Sequence, residues 1–460
     1  MLFHIILRET RSNILSLRMF LTLILTLTVF GLGTFTFVVN YQAERQLFER
    51  SQQLKIERVK NIAEERGLVH LARRIFNQDF GPRSNSFISN SREKYLPQRF
   101  QYDSYHVLSF HPLAMSRNAL IESFQQLSWM FIISIIISFT VLLLAYDTVS
   151  GEKEARTLAL SLSNSVSRGL VLFGKYLSVI LSTILVLVPG IALSLVIIQS
   201  SGKISITRGT LVEIGLFLAV AILFVACITA FGILASVLTH RANVSLVAAL
   251  SFWLLFVVVV PNTAIYWAQS LFPIEKMENV MRRIDMERED VEKQMPEGWS
   301  ENRSSYVENR AKLENDLLAA EMKVRRDWYN QMFNQYERTR LITSLSPVAL
   351  FEYLCEAVVG GGYLRFRKNW RDMKSFQLEY LQFVKETDAN DPESPHQLNP
   401  GIEFGSRKPV AIADVPFFNE KAPSLPERFS HAGIYLLLMV IYTAGAFALS
   451  FVLFLRYDVR

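Results

Sequence analysis

Long apolar runs, separated by strongly charged segments, organise this chain. Six runs are nearly free of Asp, Glu, Lys and Arg: residues 19–40, 127–146, 176–198, 216–238 (within a span counted from 210), 244–268 and 433–455. A hydrocarbon layer of ~30 Å takes about 20 apolar residues as a helix. A charge at its centre costs ~2.5–3.5 kcal/mol on the insertion scale. Buried helices of a soluble core would need only ~10–14 apolar residues each and would not recur six times at this length. The pattern predicts an all-α polytopic membrane protein. Its mainly helical extracytoplasmic domain is built from the loops after the first and fifth spans. The first run meets no small-x-small site before Tyr41 and Gln42, so it reads as a span rather than a cleaved signal.

Charge then orients the spans. The net charge is +6, and Lys and Arg in short flanks set topology. With a cytoplasmic N-terminus, the inner segments hold Arg8, Arg11, Arg18, Lys153, Arg156, Arg168, Lys175, Arg241, Arg456 and Arg460, against Lys203 and Arg208 in the short outer loop. Both termini are therefore expected inside a cytoplasmic (inner) membrane, with residues 41–126 and 269–432 outside. Residues 1–18 mix apolar side chains with Arg8, Arg11 and Arg18 and predict an interfacial helix on membrane lipid.

The outer segments read as follows. Phe48, Ile56, Val59 and Ala63 recur at helical spacing just after the first span. Met277, Val280, Met281, Ile284 and Val291 form one apolar stripe, and Leu313, Leu317, Val324 and Trp328 form a second, with Pro296 and Gly298 between. That pattern predicts a helical hairpin. Residues 388–427 hold seven of the fifteen prolines, which forbids a long helix and predicts an extended return to the last span.

Candidate chemistry is sparse. Cys227 lies in a span and Cys355 in a soluble segment, so no disulfide is expected between them. The seven histidines show no H-x-x-H pattern, and no metal site is expected. Gly169, Gly174 and Lys175 fit the spacing of a phosphate-binding loop. However, Tyr176 stands where a Ser or Thr must ligand Mg²⁺, and the intervening residues are bulky and apolar. This chain is not expected to hydrolyse ATP alone. Thr22 with Thr26, Ser134 with Ser138 and Ser178 with Ser182 place small hydroxyls at helix-packing spacing. Pro189 and Pro261 are expected to bend the third and fifth spans.

The loop between the second and third spans is the most informative stretch. It carries a charged turn, Gly151, Glu152, Lys153, Glu154 and Arg156, then Thr157, Leu158 and Leu160, and reaches Val166 and Arg168 before the next span. Glu152, Lys153, Glu154, Thr157, Leu158, Val166, Ser167, Arg168, Gly174 and Lys175 resemble the loop pattern of ABC-2-type transporter permeases. Two positions depart from it: Arg156 stands at the usual Gly, and Ser165 at the usual Pro. Ser346 to Phe351, Gly360 to Gly362, Asp414 to Phe417 and the terminal Arg456 to Arg460 resemble a subgroup with large extracytoplasmic loops, one whose naming invokes multi-copper enzyme maturation.

That resemblance implies a permease subunit, an exporter, with this loop as the helix that couples to an ABC ATPase subunit. It implies a homodimer or heterodimer with a second permease, and ATP and Mg on the partner ATPase with no cofactor on this chain. An extracytoplasmic partner protein fits the outer helices; nothing in the pattern asks for nucleic acid. The alternative is a non-transporting membrane scaffold or sensor whose outer helices bind a partner protein.

Overall fold

The computed structural model describes residues 2–90, 96–97, 99–110, 127–158, 167–295, 305–400, 404–430 and 432–457. Helix α1 (Leu2–Ile14) is followed after two residues by α2 (Leu17–Arg66), whose start is capped by the Ser16 hydroxyl accepting from the Met19 amide. At ~1.5 Å per residue, the 50 residues of α2 far outreach a bilayer. Its apolar half crosses the membrane and its charged half continues beyond it. A short α3 (Leu68–Arg73) and three strands, β1 (Phe76–Asp79), β2 (Arg99–Tyr102) and β3 (Val107–Phe110), follow. The strands form an antiparallel sheet in the order β1-β2-β3, with Phe76 opposite Tyr102 and Tyr102 opposite Val107.

Helix α4 (residues 129–145) carries a π-helical turn at Ile133–Ile137 and leads through a turn to α5 (Ser150–Glu154). Then come α6 (Arg168–Ser201), α7 (Arg208–Leu238) and α8 (residues 242–271), the last with a π-helical turn at Leu254–Val259. The chain continues through α9 (Met277–Lys293), α10 (Tyr306–Thr343), α11 (Pro347–Val359), α12 (Gly362–Ala389), α13 (Leu425–Ser430) and α14 (Gly433–Arg456). Among the described residues, six helices are long and apolar enough to cross a membrane: α2, α4 with α5, α6, α7, the first part of α8, and α14. The expected all-α polytopic architecture is what the chain adopts.

Among the described residues, two large cores and one small cluster between α9 and α10 hold the buried apolar side chains. The larger joins all six spans and includes Phe30, Trp129, Phe217, Phe224 and Phe454. It also takes in α11, which is buried along nearly its whole length, with Phe351 stacked on Phe224 at 4.5 Å. The sequence reading left these residues in the segment after the fifth span. Their 13-residue helix is too short to meet the length criterion for a span, yet its largely apolar surface is buried inside the bundle, with Glu356 paired to Arg340.

Both π-helical turns are tied to neighbours. The Trp253 indole, at the start of the α8 turn, donates to Ser138 Oγ at 2.9 Å, at the end of the α4 turn. The Ser346 hydroxyl at the N-cap of α11 donates to the Phe256 carbonyl inside the α8 turn. The Ser346 hydroxyl thereby satisfies a carbonyl of the widened turn.

The second core lies outside the membrane, on the end reached by the charged half of α2. Phe100 and Tyr102 of β2 meet α12: Phe100 lies 5.7 Å from Trp370 and Tyr102 lies 5.2 Å from Phe376. Helices α9 and α10 run antiparallel, packing Val280 and Ile284 on Val324 and Trp328. The sheet was not legible in the sequence, because a four-residue strand offers two inward positions and no measurable alternation. The proline-rich return lies along α2 and α3: Val410 donates to the Ala63 carbonyl, while Lys408 and Ser406 carbonyls accept from Leu68 and Val69. Gly67 permits this approach, since it has φ +80° and a Cβ there would sit 2.2 Å from the Arg407 carbonyl. The Lys408 ammonium and then the Ser406 hydroxyl hold the Asp391 carboxyl down at about 2. A depressed carboxylate contributes stability that is complete above its unfolded pKa of ~3.9 and fades as pH falls toward that low value. That contribution is therefore complete through the neutral range.

Arg340 joins the two cores. Its guanidinium is 2.7 Å from Glu356, lies 3.9 Å from the Tyr353 ring centre, and also faces Tyr363 and Tyr435. Both side chains are less than a tenth exposed. Removing one member strands a buried charge, at a cost of ~3–5 kcal/mol. Glu356→Ala is expected to lower stability by that order in SDS-titrated unfolding. Arg340→Met with Glu356→Leu should recover most of the loss. Recovery no better than the single variant would show the tyrosine box itself to be the stabilising element.

Candidate functional site

The turn at residues 146–158 closes the end of the bundle opposite the sheet. Arg18, at the start of α2, donates to Asp147 Oδ2 at 2.8 Å and to the Leu143 carbonyl at 3.2 Å. The amides of Val149 and Ser150 have no acceptor within α5, as first-turn amides do not. Both donate to Ser236 Oγ of α7, at 3.0 and 2.9 Å. Ser245 of α8 donates to the Tyr146 carbonyl at 2.6 Å.

Three consecutive charges then point to three different helices, because successive positions on a helix are about 100° apart. Glu152 Oε1 accepts from Lys175 Nζ of α6 at 2.8 Å, and that ammonium also lies 3.5 Å from Glu9 of α1. The Lys175 side chain is only 3% exposed. Lys153 turns to the C-terminal end of α7, donating to the Val237 and Thr239 carbonyls while lying 4.6 Å from the Tyr457 ring centre. Glu154 Oε2 accepts from the Ala242 amide at 2.8 Å, placing negative charge on the start of α8 where the helix dipole favours it.

Helix α5 ends in a Schellman arrangement. The Thr157 amide donates to the Glu152 carbonyl at 3.0 Å and the Arg156 amide to the Lys153 carbonyl at 3.2 Å. The residue that must turn left-handed is Arg156, with φ 54°. Glycine avoids the penalty of ~1–2 kcal/mol that a side chain meets there. The Arg156 side chain is exposed and makes no hydrogen bond or ion pair among the described residues.

The structure thus separates the site residues named from sequence. Glu152, Lys153 and Glu154 are spent on internal bonds. Gly151 is half-buried, and a Cβ there would meet only Asp147 at 3.5 Å. Arg156 and Thr157 are exposed, whereas Leu158 is buried in the bundle core. Arg168 caps the far end of α14, donating to the Leu455 and Tyr457 carbonyls at 3.0 and 2.9 Å. Leu160 and Val166 lie outside the described residues.

Sequence reasoning missed the roles of Lys175, Glu9 and Ser236. Lys175 was treated as a flank of the third span, whereas α6 begins at Arg168 and carries Lys175 well inside it. The available signal was its isolation in an apolar run, where a lone cation needs a partner. Among the described residues, no group of three or more His, Cys, Asp or Glu could hold a metal ion. His111 lies outside them, and His106 pairs with Asp103 at 3.1 Å.

These contacts define a multi-pass helical membrane protein in which one extramembrane turn is locked to several spans at once. The chain matches the family described as ABC-2 family transporter protein over residues 4–459, and it belongs to that family. No curated protein matches it significantly.

Two outcomes follow from this geometry. Lys175→Met leaves Glu152 and Glu9 without their cation, so protease sensitivity should rise in α1 and α5 together. Glu9→Gln should loosen α1 most and α5 to a smaller extent. Arg156→Gly should raise stability by about 1 kcal/mol, read as a higher SDS midpoint; a fall would mean that the guanidinium stabilises the turn.

Proposed function

We propose that this chain is the permease subunit of an ATP-driven ABC-2 transporter, working as an exporter. A separate ATPase subunit holds ATP and Mg and docks on the exposed surface of the α5 turn. The observation that carries this reading is the attachment of that turn to several spans: Glu152 to α6, Lys153 to α7, Glu154 to α8 and, through Asp147, Arg18 of α2. A push on the turn by a closing ATPase moves these helices as one body, which is the rigid-body route to an opening path. In this arrangement the α5 end lies in the cytoplasm and the domain built on β1–β3 and α12 lies outside. A second permease, identical or related, completes the path. Helices α8 and α14 support this, since most of their apolar surface is unburied within one chain.

The exposed part of the turn is where contact belongs. Deleting the whole turn would destroy the packing of α6, α7 and α8, so point variants are the sharper test. Arg156→Glu should cut co-purification of the ATPase roughly tenfold, equivalent to ~1.4 kcal/mol, while the SDS midpoint of the permease alone stays at or above wild type. Unchanged recovery would remove the turn as the docking site. Reconstituted complex that hydrolyses ATP without moving any cargo would favour the scaffold or sensor reading instead.

A further inference from the structure

We propose that α1 is a docking surface for the headgroups of anionic phospholipids, connected through Lys175 to the α5 turn. Three stripes run along this 13-residue helix. One packs on α6: Leu2 and Ile5 lie against Gly174, where a Cβ would come within 2.8 Å of Ile5, and Asn13 donates to Ser182 Oγ at 3.2 Å. The second is apolar and open, with Phe3 69%, Leu7 55% and Ile14 45% exposed. The third is basic and open, formed by His4, Arg8 and Arg11 at the 3–4 spacing of one helix face.

The polarity of that third stripe is unmixed. The only acid in α1, Glu9, is turned inward to Lys175 and so is withdrawn from the exposed side. The Arg8 and Arg11 side chains make no hydrogen bond or ion pair among the described residues. An exposed apolar stripe beside an unopposed basic one is the surface that seats at the boundary between acyl chains and anionic headgroups. Chain continuity places it there. Only two residues separate α1 from α2, whose first turns continue the exposed apolar surface with Leu17, Phe20 and Leu21. A lipid surface, rather than a protein, is the occupant that offers hydrocarbon and negative charge side by side along this whole length.

The same helix reaches α5. Glu9 and Glu152 share the Lys175 ammonium, one from α1 and one from the turn. Glu152 Oε2 is buried without a hydrogen-bond partner, so the carboxylate depends on Lys175 for its compensation. Headgroups that hold α1 against α6 keep Glu9 at Lys175 and thereby steady the cation that holds Glu152. This inference takes from the proposed function only the use to which α5 is put; lipid binding is measured on the chain alone, without an ATPase.

The full-length chain is examined by native mass spectrometry after exchange into micelles with equal phosphatidylglycerol and phosphatidylcholine. Wild type is expected to retain phosphatidylglycerol preferentially, and Arg8→Gln with Arg11→Gln to reduce that retention about tenfold. Arg282→Gln with Arg288→Gln, on α9, should leave it unchanged. Equal retention by wild type and the α1 variant, no preference over phosphatidylcholine, or displacement by millimolar inorganic phosphate would overturn the lipid site. In nanodiscs, phosphatidylglycerol should slow hydrogen exchange at residues 150–158 of wild type but not of the α1 variant. Retention without that slowing would overturn the connection to α5.

Discussion

A helix end inside or beside hydrocarbon cannot be left bare, and much of this structure follows from that constraint. Free amides and carbonyls at these termini are taken by side chains. The C-terminal carbonyls of α7 are taken by Lys153, and the amide that opens α8 by Glu154. Arg168 completes α14, and Ser236 completes the start of α5. At the other end of the bundle, the Val359 carbonyl of α11 accepts from Arg83 and Asn85, and the Val358 carbonyl from Arg428. Arg428 and Asn85 are themselves held by Glu213 at 2.8 Å each. The polar residues at both ends of the bundle are therefore the means by which apolar helices start and stop.

Economy of charge has a mechanical consequence. The three charged side chains of the α5 turn come from a single five-residue helix but reach three different spans, two by capping α7 and α8 and one by pairing with Lys175 of α6. A force applied to such a turn cannot move one span without loading the others, whereas a turn whose charges faced solvent would yield alone. Arg156 stands apart from this arrangement. It occupies a left-handed position at an energetic cost and leaves its charge unspent beside the buried Leu158, so exposed and anchored surfaces sit within two residues of each other.

At the opposite end, Arg340 and Glu356 perform the corresponding task between the membrane core and the folded domain. Helix α10 delivers Arg340 to α11, and the tyrosines of α11, α12 and α14 surround it. The pair thus ties the extramembrane α10 directly to a helix buried among the spans.

The amino-acid pattern by itself determined the six spans, because a run of about 20 apolar residues has no stable place in a soluble protein of this kind. It also marked the turn after the second span as the charged feature of interest. What it could not assign was direction. Glu152, Lys153 and Glu154 read equally well as a solvated docking face or as internal clips, and only their helical positions relative to α6, α7 and α8 decide for the clips. Pro347–Val359 could not be placed by length, since a largely apolar 13-residue helix suits either a soluble core or a membrane bundle. The β-strands were too short to leave a period. Spans are set by local transfer of side chains into hydrocarbon, which any stretch of sequence records on its own. Pairings such as Glu9 with Lys175, 166 residues apart, are set by which helix faces meet, and only tertiary packing determines that.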